Sequence, residues 1–98
     1  MRYDQGFVQS VQSVVPAVLA EIIRRQPASK ERTAFAWSVA VGPALARATT
    51  VELRERTLVV SARDARWAHE IERARETILA RLKHLLGDST VVSIEVTR

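Results

Sequence analysis

The chain has no cysteine, which removes disulfides, thiolate nucleophiles and thiolate metal ligands at once. Glycine is scarce, at positions 6, 42 and 87 only. That excludes the P-loop, the dinucleotide fingerprint and the G-x-S-x-G nucleophile elbow, each of which needs glycines at fixed spacing so that backbone can approach a ligand or turn sharply. It also excludes the G-X-X-G loop with which a standard KH module clamps a phosphate backbone. Aromatic residues make up 5% of the chain, and no pair of them sits on a predicted strand in the manner of an RNP-type stacking platform. No apolar run reaches the roughly 18 residues of a membrane span. The start, Met1-Arg2-Tyr3-Asp4-Gln5-Gly6, lacks the apolar stretch and small-residue cleavage site of a secretory signal. The expectation is a cytoplasmic chain.

What is present fits one small domain over residues 1–98, with residues 1–6 expected to fray. A chain of this length buries roughly 65% of the surface exposed when unfolded, enough for one thin core. The net charge is +4 and the isoelectric point about 10.6. Lysine occurs only at 30 and 83, so the positive charge is almost all arginine. Guanidinium suits phosphate and carboxylate recognition. A GC-rich genome produces the same arginine bias, and +4 is a modest field.

Apolar residues recur at helical spacing from Phe7 to Ile23, through Val11, Val14, Val15, Val18, Leu19 and Ile22. Pro16 either kinks this helix or sits near the first position of a second one, with Ser13 as a nearby cap. Arg24 and Arg25 suit the negative end of the helix dipole, and Pro27 ends it. Ser29 starts a second helix that runs to Val41. Gly42 stops it and Pro43 opens a short third helix to Ala48. Residues 50–54 and 57–62 then alternate with period two around the Glu55-Arg56 link, which predicts an antiparallel hairpin. Asp64 caps a long helix from Ala65 to Leu86, striped by Trp67, Ile71, Ala74, Ile78, Leu82 and Leu85 and stopped by Gly87. A last strand covers 90–97 with Val92, Ile94 and Val96 on one face. The order α-α-α-β-β-α-β predicts an α+β fold with helices packed on one face of a small three-stranded mixed sheet. If the second and third strands are parallel, the long helix should cross over between them with right-handed sense.

No residue set supports catalysis. His69 and His84 have no second ligand type at metal spacing, and His69-Glu70 is not H-E-x-x-H. Glu72 and Glu76 lie one turn apart among Arg66, Arg73 and Arg75, the pattern of a solvated, ion-paired helix face. Ser61, Asp64 and His69 make a triad by composition only. Catalytic residues, metal and cofactor are all read as none. The two tryptophans, Trp37 and Trp67, are either core bodies or partner-binding anchors, since Trp and Arg dominate interface hot spots. Nucleic acid, if bound, would be held by arginine on phosphate with little sequence preference, and the candidates are Arg54, Arg56, Arg63, Arg66 and Arg73.

Taken together, Trp37-Ser38-Val39-Ala40-Val41-Gly42, Leu45-Ala46, Thr50-Val51-Glu52-Leu53, Thr57-Leu58-Val59-Val60, Ala65-Arg66-Trp67-Ala68-His69-Glu70-Ile71 and Val91-Val92-Ser93-Ile94 resemble the DciA-type family of bacteria, from about residue 12 to the C-terminus. The resemblance implies a KH-like fold and a non-enzymatic replication factor that binds the replicative helicase and assists its loading onto DNA. It implies the helicase as partner, with DNA, single-stranded or duplex, as a second one, and neither membrane nor small-molecule substrate. Members commonly carry a basic, flexible extension beside the folded domain, whereas here Arg98 alone follows the last predicted strand. Trp37 and Trp67 match the family pattern in position. The rival reading is a general KH-like nucleic-acid-binding domain acting through arginine–phosphate contacts.

Overall fold

The computed structural model describes residues 16–97. The expectations for fraying of residues 1–6, for helix from Phe7 and for Ser13 as a cap lie outside the described residues. Pro16 stands directly before helix α1 (Ala17–Arg25), its carbonyl accepting from the amides of Leu19 and Ala20 at 3.0 and 3.1 Å. Of the two roles open to this proline, it therefore begins a helix. Ala20 and Ile23 face the core, and Glu21 pairs with Arg25 across one turn at 2.9 Å.

Helix α2 (Lys30–Val41) opens on the Ser29 hydroxyl, which accepts the Arg32 amide at 3.0 Å. It ends at Gly42, whose φ of 91° and ψ of 165° lie in a region open essentially to glycine alone. Helix α3 (Pro43–Arg47) starts on the proline that follows. Strands β1 (Thr49–Arg54) and β2 (Thr57–Ala62) pair antiparallel in the register Thr49↔Ala62 to Arg54↔Thr57, joined by Glu55, which takes a positive φ of 56°. The Asp64 carboxylate accepts the Trp67 amide at 3.1 Å and opens α4 (Ala65–Arg73). Helix α5 (Arg75–Leu86) stops at Gly87, φ 106°. Strand β3 (Ser93–Thr97) lies parallel to β2, so the sheet order is β1-β2-β3 with β2 central, and α4 with α5 forms the crossover.

The helices lie on one face of this mixed sheet, as expected. Helix α2 packs on β1, α4 packs on β2 and β3, and α5 lies behind, against α1 and α2. Leu58, Val60, Ile71, Leu82, Leu85 and Val91 are completely buried between the layers. Across the sheet, inward residues Val51, Leu53, Leu58, Val60, Ala62, Ile94 and Val96 alternate with Thr50, Glu52, Arg54, Thr57, Val59, Ser61, Ser93, Glu95 and Thr97 on the outer face.

Two differences from the sequence reading have local causes. The long helix is broken at Ala74, where φ is −104° and ψ is 12°. Before the break Ile71 is buried against the sheet, and after it Ile78, Leu82, Leu85 and Leu86 fill the space against the other helices. The Arg75 guanidinium, bonded to the Ile94 carbonyl and to Glu72, holds the corner. The last strand starts at Ser93 instead of Thr90. The Thr90 hydroxyl donates to the Leu86 carbonyl at 2.8 Å, and the Val92 amide donates to the Arg56 carbonyl at 2.8 Å. Val91 is thereby turned into the core while Val92 is 46% exposed, reversing the side expected for Val92.

Candidate nucleic-acid and partner interfaces

The two tryptophans have different environments. Trp37, on α2, is 2% exposed, and its indole N–H donates to the Thr49 hydroxyl at 2.9 Å. Thr49 in turn donates to the Leu45 carbonyl at 2.8 Å. This relay fastens α2 to the end of α3 and the start of β1, and it satisfies a buried polar group that would otherwise be costly. Trp67, in the first turn of α4, is half-buried. With Ala40, Val41, Leu45, Ala74 and Ile78 it lines an open hollow of about 360 Å³. Glu70 and Arg81 stand at the same hollow, and Arg81 donates to the Ala40 carbonyl at 2.7 Å. A partly buried aromatic ring beside small and aliphatic side chains, with charges at the margin, can take an apolar side chain of a protein partner.

The five candidate arginines are all exposed, but they are not together. Arg54 and Arg56 lie at the hairpin end of the sheet, and Arg63 and Arg66 follow the opposite end of β2. A strand of six residues separates these ends, roughly 17 Å. Arg73 is at the far end of α4. Among the described residues two of the five carry a carboxylate partner: Arg54 pairs with Glu52 at 3.2 Å and Arg73 with Glu70 at 3.7 Å. Arg63 donates to the Arg47 carbonyl at 3.4 Å, and its amide donates to the Ala48 carbonyl at 2.9 Å. Arg47 was not singled out from the sequence. The hairpin itself supplies the signal, because antiparallel pairing lays the residues just before β1 beside those just after β2.

His69 and His84 are exposed. Glu72 is engaged by Arg75, and Glu76 is exposed on α5. Among the described residues no group of three or more His, Cys, Asp or Glu side chains could hold a metal ion. No helix among them is long and apolar enough to cross a membrane.

The sequence model of the family described as Dna[CI] antecedent, DciA, matches residues 7–96 of the 98. The chain belongs to the DciA family. DciA proteins are replication factors with a helicase-loading role in bacteria, not an enzyme family. No curated protein and no solved structure matches the chain. The matched span includes the buried Trp37 and the half-buried Trp67 alike, so membership alone assigns neither to a partner.

Proposed function

We propose that this DciA chain acts in the cytoplasm as one KH-like domain that binds the bacterial replicative helicase and assists its loading onto DNA, with no reaction of its own. The family match over nearly the whole chain carries this reading. The hollow at Trp67 supports it as a place for a protein contact, while Trp37 fastens α2 to α3 and β1 through Thr49. Burying an aromatic ring in a desolvated contact is the usual basis of a hot spot. The test is native mass spectrometry of the chain with the helicase of the same bacterium at micromolar concentration. A complex carrying both proteins is expected, and no complex under those conditions would overturn the reading.

A second reading is favoured by Arg63 and Arg66, neither of which forms an ion pair among the described residues: binding of nucleic acid through phosphate contacts. Among the described residues the outer sheet face bears no aromatic, so bases have no stacking platform on the strands and the contact would be indifferent to sequence. Affinity for an oligonucleotide should then fall steeply with salt, and an affinity unchanged by salt would exclude this mode.

A further inference from the structure

We infer that the end of the sheet where β1 begins and β2 finishes is a subsite for the phosphodiester backbone of a nucleic acid, with Arg47 and Arg63 as its cationic grip. This deepens the nucleic-acid reading above and rests on it. Arg47, Ala48, Thr49, Thr50, Ser61, Ala62 and Arg63 line one notch of about 340 Å³. Among the described residues no carboxylate lines it. The Arg63 guanidinium donates to the Arg47 carbonyl, and both arginines line the notch, so two cationic residues stand at one strand end. Neither forms an ion pair among the described residues, whereas Arg24, Arg25, Arg54, Arg73 and Arg75 each have a glutamate. Asp64, the residue after Arg63, caps α4 through the Trp67 amide and does not pair with either arginine among the described ion pairs. Like charges placed together without a counter-ion repel, and an anion relieves that repulsion.

The outer face beside this notch is sorted by rows. Thr50, Ser61 and Thr97 are register neighbours, a row of hydroxyls next to the arginines, with Ser61 and Thr97 in contact at 3.2 Å. The next row is Glu52, Val59 and Glu95. Arg54 answers Glu52, and Glu95 adds a further negative charge. A polyanion is therefore attracted to the end of the sheet, where hydroxyls can donate to phosphate oxygens, and is repelled from its middle. The strand should pass across the sheet's end and should not run over the open face.

The experiment measures fluorescence anisotropy of a labelled mixed-sequence DNA 20-mer against the intact chain at several salt concentrations, with duplex DNA, RNA and polyglutamate alongside. Two double variants remove the same charge from different places: Arg47→Gln with Arg63→Gln, and Arg54→Gln with Arg73→Gln. The first should weaken binding at least about tenfold and lower the salt slope by about two, while the second changes affinity by less than about threefold. Arg47→Lys with Arg63→Lys should keep most of the affinity, and circular dichroism should match the parent for all three. Equal losses in the two glutamine variants would overturn the subsite and leave general nucleic-acid binding standing. Polyglutamate binding as tightly as DNA would overturn the phosphate assignment. No binding of the parent chain up to about 0.1 mM, the weak end of non-specific association, would overturn both the subsite and the nucleic-acid reading. The helicase complex, measured by mass on the same preparations, is judged separately.

Discussion

The two faces of the sheet divide stability from contact. On the inner face, Leu58 and Val60 are fully buried and Ile94 is 3% exposed. One residue along the same strand, Val59 looks outward among Glu52, Glu95 and hydroxyls. Strand β2 thus carries both environments at alternate positions, and the period of two decides which side chain holds the fold and which is available to a ligand. The lesson is that an α+β layer of this size keeps its apolar mass on one side, and the other side and the ends of the sheet are left for charge and hydroxyl chemistry.

Substitutions can sharpen or break that division. Leu58→Ala should show the largest effect, a loss of about 3 kcal/mol read from the shift of the urea midpoint, because the surrounding layers cannot close over the space left behind. Thr49→Val comes next. It leaves the buried Trp37 indole N–H without its acceptor and should cost about 2 kcal/mol, visible also as a change in tryptophan fluorescence. Val59→Ala, adjacent to Leu58 in sequence, should cost only about 0.5 kcal/mol. If Val59→Ala proved as damaging as Leu58→Ala, the outer face would itself be part of a core.

Much of this architecture was legible in the residues because its causes are local. Ser29 and Asp64 cap helices through their own side chains, and Gly42 and Gly87 occupy backbone conformations that other residues avoid. The hairpin followed from strict alternation on either side of Glu55-Arg56. The misread features depend at least in part on partners distant in the chain. The break at Ala74 has no glycine or proline to announce it, and it arises because one half of the helix covers the sheet and the other covers helices. The start of β3 is set by the Thr90 hydroxyl on Leu86 and by the Val92 amide on the hairpin carbonyl of Arg56.

The candidate sites were legible as residue types, not as places. Trp37 and Trp67 look alike in a helical stripe, and only packing makes one a core body with its N–H satisfied and the other a half-open wall. The sequence pattern marked the α4–α5 arginines as an ion-paired face but did not say which arginine each glutamate would take. Arg54 and Arg73 are matched by glutamate, while Arg63 is brought to Arg47 by strand pairing over sixteen residues.

The central claim is that this molecule works by docking a stable exterior. Hydrogen exchange of the chain, free and with the replicative helicase, tests it most directly. The Leu58 and Val60 amides should be strongly protected in both states, and the helicase should add protection around Trp67 and the adjoining residues 41–45. An exchange pattern identical with and without helicase would contradict it.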